Sequence, residues 1–265
     1  MVRLDGARAR RRVGHLMDLG IEGRVALVLG ASRGIGRAVA TELVAEGARV
    51  AIASRSREAL DELATQIGAT VFEHDNAALD TVPSLVEAVT RALGPIEILV
   101  TNTGGPPASP DPLAQSTEDW EAAYRTLVLA PLALIRAVLP GMRERGFGRI
   151  VNIGSWTIRE PLGNLMLSNS HRSATFAAFK TIARDVAADG VTLNTVLPGR
   201  IATDRLYSLS GGREQAEAIG RAEVPAARLG APQEMAAAVA FLCSARASYI
   251  TGVGLLVDGG LSRLA

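Results

Sequence analysis

The chain has 265 residues, 48% of them hydrophobic and 21% charged, which suffices for one large α/β domain with a fully buried sheet and leaves no room for a second. A formal net charge of +1 and an aromatic content of 4% supply neither the field nor the stacking surface that nucleic-acid binding draws on, so no such partner is expected. The one cysteine, Cys243, closes an apolar helical run; it cannot form an internal disulfide and reads as a small core residue of a cytoplasmic, reducing environment.

Arg3, Arg8, Arg10, Arg11 and Arg12 make the start of the chain basic, but no apolar run follows them. Residues 1–16 are therefore expected to be a disordered basic extension, neither secretory signal nor membrane anchor, with one domain over 17–265. No later segment is expected to reach membrane-spanning length. Residues 24–29, RVALVL, predict a buried strand that ends at Gly30. After a Ser32-Arg33 turn, Gly34-Ile35-Gly36 opens a helix predicted over 34–46, whose apolar positions include Ile35, Val39 and Leu43. A helix start leaves backbone N–H groups unpaired and gathers partial positive charge, so a phosphate is attracted there, while a Cβ at Gly34 or Gly36 would hold it off.

Apolar runs and helical patterns then alternate: a strand over 49–54, a helix over 57–67, a strand over 70–73, a helix over 82–93 and a strand over 96–100. A long helix is predicted from a Ser116/Thr117 cap, with Glu118 and Asp119 in its first turn, to about 145; Pro131 and Pro140 are expected to bend or break it. Strands over 149–153 and 191–196 flank a helix over 168–188. A polar, mobile substrate loop is expected over 200–221, then a helix over 232–242 and a strand over 254–257. Such alternation requires right-handed crossovers and predicts a single doubly wound, Rossmann-type domain, its central seven-stranded parallel sheet covered by helices on both faces.

Ligands of such sheets sit at the carboxyl ends of the strands. After the second strand stand Ser54 and Arg55, where selection of NAD usually requires an acidic side chain; an arginine instead pairs with a 2′-phosphate. Together with Arg33, Arg55 argues for NADP(H) over NAD(H). Asp75 and Asn76, after the third strand, could bond an adenine edge or simply start a turn. Asn102, Thr103 and Gly104 form a small-residue corner after the fourth.

With these segments in view the chain resembles the short-chain dehydrogenase/reductase family, near its 3-oxoacyl-[acyl carrier protein] reductase type. Gly30-Ala31-Ser32-Arg33-Gly34-Ile35-Gly36 is similar to the family's TGxxxGIG motif, with Leu29 where Thr is usual, and 101–104 to its NNAG corner, with Thr101 and Thr103 as departures. Val151-Asn152-Ile153-Gly154-Ser155 resembles the strand bearing its catalytic serine. Pro198-Gly199-Arg200-Ile201-Ala202-Thr203 resembles the segment that holds the nicotinamide, which implies cofactor roles for Pro198, Gly199, Ile201 and Thr203. The likeness runs from about Met17 to the C-terminal strand with Asp258-Gly259-Gly260.

The proton-transfer positions depart from the family. Counting thirteen residues from Ser155 puts Ser168 at the tyrosine position, four more put Arg172 at the lysine position, and Leu127 falls at the asparagine position. A tyrosine titrates near ~10 and can be tuned into range, whereas a serine hydroxyl is too weak an acid and an arginine above ~12 does not shuttle protons. Arginine can still hold an oxyanion or carboxylate bidentately. Ser155, Ser168 and Arg172 are therefore expected to form an anion- or carbonyl-polarising site facing the nicotinamide, with protons coming from elsewhere or from water and Arg172 selecting an acidic substrate. Tyr207, Tyr124 and His171 are the available surrogate acids, Tyr207 foremost; no metal site is expected.

Two functions follow from this reading. One is an NADP(H)-dependent oxidoreductase acting on a small-molecule carbonyl, alcohol or activated double bond. The other is a nucleotide-binding relative without turnover, a redox sensor or an inert oligomer partner. No membrane partner is expected. The segment 127–139, LVLAPLALIRAVL, is apolar on nearly every side, and the resemblance implies homodimers or homotetramers formed through this helix and the one after Ser155.

Overall fold

A computed structural model describes residues 17–264; the expected basic extension over 1–16 lies outside them. The strands β1 (Val25–Leu29), β2 (Arg49–Ser54), β3 (Thr70–Glu73), β4 (Ile98–Thr101), β5 (Gly148–Ile153), β6 (Val191–Pro198) and β7 (Gly254–Val257) form one seven-stranded sheet in the order β3-β2-β1-β4-β5-β6-β7. Every pairing is parallel. The reason is visible in β1: Ala26 and Val28 pack on one face, and Val25, Leu27 and Leu29 on the other. A strand buried on both faces reads as a continuous apolar run, and only crossover helices can cover it.

On one face, α1 (Gly34–Ala45) lies against α9 (Pro232–Leu242), with Val39, Leu43, Met235 and Val239 in the shared core. The other face is covered by α3 (Val82–Leu93), α5 (Ala130–Glu144) and α6 (Met166–Val186), through Leu85, Val89, Leu134, Ile135, Met142 and Phe179. The helix α2 (Arg57–Ile67) ends at Gly68, a left-handed cap at φ 76°, a conformation that glycine adopts without strain.

The helix predicted over 116–145 keeps its capping box: Ser116 accepts from Asp119 N–H and Asp119 from Ser116 N–H. Its interruption is a π turn over Arg125–Leu129, between α4 (Thr117–Tyr124) and α5. Pro131 has no N–H to return to the preceding turn, and the Leu127 carbonyl is taken instead by Thr175 Oγ1, at 2.6 Å. Pro140 sits inside α5 without ending it. It is exposed, so solvent can reach the carbonyl it leaves unpaired. Contrary to expectation, the continuous stretch Thr117–Glu144, 28 residues long, is long and apolar enough to cross a membrane by length and composition alone. Its inner side is committed to the protein core through Leu134, Ile135 and Val138.

The expected loop over 200–221 is mostly helical. Thr203 caps α7 (Asp204–Leu209) by accepting from Leu206 N–H, and α8 (Arg213–Glu223) follows the glycine pair Gly211-Gly212. Cys243 is fully buried at the end of α9. Burial pushes its thiol up to about 12, the positive charge of Arg149 easing the shift slightly. The thiolate is the reactive form, so in the folded protein at pH 8 Cys243 is expected to resist a disulfide reagent and to react on addition of urea. Rapid labelling without denaturant would contradict the packing described.

Candidate active site

The chain leaves β1 toward β2 on one side and reaches β4 on the other, so a crevice opens at the carboxyl ends of β1 and β4. Gly30 turns at φ 61°, and an ideal Cβ on it would lie 2.6 Å from the Asn102 carbonyl oxygen. At Gly36 a Cβ would lie 2.2 Å from the Gly30 carbonyl oxygen. Asn102 fastens this corner, its Nδ2 donating to the Gly30 carbonyl at 3.1 Å. Arg33 occupies the N-cap of α1 with no side-chain cap. The N–H groups of Gly34, Ile35 and Gly36 therefore point outward without a capping oxygen, which suits an anion.

Arg33 and Arg55 are both exposed at this end of the sheet, and among the described residues neither has an ion-pair partner. Ser32 lies half-buried between Ala31 and Arg33, and Ser54 Oγ accepts from Ser56 N–H at 3.2 Å. Asp75 spends one carboxylate oxygen on the Ala77 N–H, at 2.9 Å. Asn76 donates to Thr103 Oγ1 at 2.7 Å. The structure thus gives both residues internal duties: Asp75 starts a turn and Asn76 ties that turn to the corner after β4. Gly104 stands open, with nothing within 4 Å of an added Cβ.

Beyond this corner lies a cleft of about 420 Å³, lined among others by Ile35, Asn102, Ser155, Ser168, Arg172 and Arg205. Ser155 follows β5 and caps a short turn, accepting from Thr157 N–H at 3.2 Å and sharing a 2.9 Å hydrogen bond with Thr157 Oγ1. Ser168 and Arg172 stand one turn apart on α6 and meet, Arg172 Nε donating to Ser168 Oγ at 3.2 Å. The same guanidinium donates to the Ile153 carbonyl at 2.8 Å and to the Thr103 carbonyl at 3.2 Å. It therefore joins the ends of β4 and β5 to α6 and keeps two of its five N–H bonds for the cleft. Burial, and then the charge of Arg205, push Arg172 down to about 10, which leaves it a cation at neutral pH.

Pro198, Gly199, Ile201 and Thr203 form the far wall. An ideal Cβ on Gly199 would lie 2.6 Å from Asp258 Cα, so only glycine lets this segment pass β7. Arg205, which sequence reasoning did not single out, reaches from α7 across the cleft and donates to the carbonyls of Gly105, at 2.9 Å, and Pro106, at 3.1 Å. Its signal was the Thr203 N-cap, which places it in a first helical turn facing the corner after β4. Arg200 is ion-paired to Glu223.

Tyr207 does not join the predicted catalytic group. It is absent from the cleft lining, and its ring centroid lies 5.7 Å from the Arg213 guanidinium carbon. His171 is buried against the rings of Trp120 and Tyr124, at centroid distances of 5.1 and 6.1 Å. A ring nitrogen lies 2.7 Å from the Leu167 carbonyl; helix periodicity turns it away from the face that carries Arg172.

Comparison with known proteins bears on the whole chain. A family model described as Enoyl-(Acyl carrier protein) reductase matches residues 30–262. The 3-oxoacyl-[acyl-carrier-protein] reductase FabG of Vibrio cholerae is 39% identical over 255 residues, covering 92% of this chain and 99% of that protein. The crystal structure of L-sorbose reductase from Gluconobacter frateurii, complexed with NADPH and L-sorbose, is 32% identical with a TM-score of 0.86, covering 94% of this chain and 100% of that one. A 3-oxoacyl (acyl-carrier-protein) reductase from Agrobacterium tumefaciens, solved with NADP bound, is 29% identical with a TM-score of 0.86, covering 93% and 98%.

Proposed function

Because the chain belongs to the short-chain dehydrogenase/reductase family, we propose that it is an NADP(H)-dependent oxidoreductase, with a small acidic carbonyl compound, of the 3-oxoacyl type or similar, as substrate. One observation carries the reading. The uncapped, glycine-lined start of α1, Arg33 and Arg55, which have no ion-pair partner among the described residues, and the Ser155, Ser168 and Arg172 cluster all open at the same end of the sheet.

The residues fit a phosphorylated dinucleotide on this evidence: Gly30 and Gly36, where a Cβ would strike the Asn102 and Gly30 carbonyl oxygens, let the end of β1, the start of α1 and the corner after β4 pack closely beneath the uncapped N–H groups of α1, and Arg33 and Arg55 are available to a 2′-phosphate. When bound, a nicotinamide supplies or accepts a hydride. The chain's own residues do the rest. Pro198, Gly199, Ile201 and Thr203 wall the cleft, Ser155 and Ser168 donate hydrogen bonds to a substrate oxygen, and Arg172 supplies positive charge. Arg205 adds a second cation, in keeping with an acidic substrate.

Titration of the purified protein with NADPH and NADH tests this. We expect NADPH to bind at least about tenfold more tightly, a difference of ~1.4 kcal/mol, and Arg55→Asp to erase or invert the preference. Equal affinities, unchanged by that substitution, would refute the assignment. One observation favours a second reading, dinucleotide binding without turnover: among the described residues the cleft lining offers no Asp, Glu, His, Cys, Tyr or Lys side chain. The half-exposed Leu129, Leu132 and Leu139 are the surface through which we expect copies of the chain to associate as a dimer or tetramer, in the cytoplasm.

A further inference from the structure

We propose that Glu160, which lies outside the cleft lining, is a positioning residue that holds the apolar wall of the cleft in place, so that the site selects among 3-oxo acids by the length of their chain; the proposal rests on the acidic-carbonyl reading above. The cleft lining is of two kinds. Ser155, Ser168, Arg172 and Arg205 offer hydroxyls and guanidiniums, whereas Leu162, Leu165, Leu206 and Leu209 offer hydrocarbon. A 3-oxo acid whose oxygens meet the polar set has its chain left to lie against the leucines, where each added methylene is removed from water.

Leu162 and Leu165 belong to the segment that runs from Ser155 to α6, whose only regular structure is two short turns, Trp156–Ile158 and Gly163–Leu165. Such a segment stays where its partners hold it. Asn169, buried on α6 beside Ser168, donates from Nδ2 to the Leu162 carbonyl at 2.7 Å. The Ser109 N–H donates to the Asn164 carbonyl at 3.0 Å. The third tie is Glu160. Its Oε1 accepts from Ser262 Oγ at 2.9 Å, from the Arg263 N–H, and from the Leu264 N–H at 3.1 Å.

These donors come from a hundred residues away and are arranged before they meet Glu160. Just after β7, Asp258 accepts from the Gly260 N–H at 2.9 Å with one carboxylate oxygen and from the Ser262 N–H at 2.8 Å with the other. That turn leaves the next two N–H groups for Glu160. Asp258 is also packed against Gly199, where an added Cβ would lie 2.6 Å from its Cα. The segment after β7 thus ties the Pro198-Gly199 wall of the cleft to the wall that carries Leu162 and Leu165. The hydrogen bond from Ser262 Oγ, and then that from the Arg263 N–H, hold the Glu160 carboxyl below the usual carboxylate range, so the clasp is charged at neutral pH. A wall held from both ends keeps its leucines at a fixed distance from the hydroxyls, which is what discrimination by chain length requires.

Acetoacetate and 3-oxohexanoate, titrated by calorimetry into the NADP+-loaded protein, test this without turnover, since the oxidised nicotinamide has no hydride to give. The two extra methylenes of 3-oxohexanoate are expected to make it bind the parent about tenfold more tightly. Glu160→Ala should cut that ratio to below about threefold, while acetoacetate and NADP+ bind within about twofold of the parent. Glu160→Gln, whose amide oxygen still accepts from N–H groups, should keep most of the ratio. Ser262→Ala combined with Arg263→Pro, which deletes two donors from the other side of the clasp, should repeat the effect of Glu160→Ala. A parent that binds the two acids equally, a ratio indifferent to Glu160→Ala or to the double variant, or a Glu160→Ala loss shared equally by both acids or by NADP+ would each overturn the proposal while sparing the dinucleotide assignment. Binding of NADP+ but of neither acid would overturn the proposal together with the acidic-carbonyl reading. Failure of the parent to bind NADP+ would overturn the dinucleotide assignment as well.

Discussion

Gly36→Ala is expected to lower stability by about 2–3 kcal/mol and to weaken NADPH binding at least about 100-fold, ~2.7 kcal/mol. The added Cβ would stand 2.2 Å from the Gly30 carbonyl oxygen, 2.7 Å from Asn102 Nδ2 and 2.8 Å from the Gly30 carbonyl carbon. Two of these three atoms are backbone, so no rotamer change relieves the clash. The end of β1 or the start of α1 must move, and the outward N–H groups move with it. The Asn102 to Gly30 bond, 3.1 Å long, is expected to break in the process and to release the corner after β4. Gly104→Ala supplies the contrast, since nothing lies within 4 Å of its Cβ. Its stability should stay within ~0.5 kcal/mol of the parent, so any loss of affinity there reports the ligand itself. Urea unfolding and a fluorescence titration on both variants check the pair. A Gly36→Ala protein with unchanged midpoint and affinity would remove the glycine cradle from the account.

The parts of this molecule that were legible in the sequence are those where one local pattern answers one local demand. The apolar run of β1, the glycines after it and the capping box at Ser116 each reflect a backbone need within a few residues. The alternation of strand and helix fixed the sheet class because parallel strands leave no other way to cover two faces. What escaped depends on partners far along the chain. The expected break at Pro131 became a π turn because Thr175, from another helix, takes the carbonyl that proline leaves free. The tie from the Asn76 amide nitrogen to Thr103 Oγ1 joins two turns 27 residues apart and has no local signature. The polar run at 200–221 looked mobile because its amphipathic faces are short; Ala216 and Gly220, buried against the body, turn it into helices. Arg205 was invisible for the same reason, since its meaning lies in two carbonyls a hundred residues away. Tyr207 was drawn toward the cleft by its place in the chain, but on α7 its ring lies beside Arg213, 5.7 Å from the guanidinium carbon.

Arg149→Met should destabilise the fold by about 2–4 kcal/mol, although the residue lies outside the cleft. Arg149 is the second residue of β5, a strand buried along its whole length, and is only 3% exposed. Its Nε donates to the Ser244 carbonyl at 2.8 Å, and one terminal nitrogen donates to the carbonyls of Gly148, at 2.9 Å, and Gly190, at 3.0 Å. The guanidinium also lies 4.3 Å from the Phe147 ring centroid, over the same ring that Arg24 approaches to 3.5 Å. Burial, and then repulsion from Arg24, push its pKa below the ordinary arginine value, so the charge itself opposes folding and its removal returns part of the loss. The carbonyls decide the sign. Those of the buried Ser244 and Gly148 would lose a donor that water cannot replace, at ~1–3 kcal/mol each, whereas Gly190 is exposed and can be hydrated. Arg149→Lys should recover little, because a single ammonium on a flexible stem cannot reproduce a planar fork spanning three carbonyls. Urea unfolding of both variants settles the matter. A methionine variant as stable as the parent would mean that these carbonyls find other partners, and that the link from β5 to the end of α9 contributes nothing to the fold that presents Ser155.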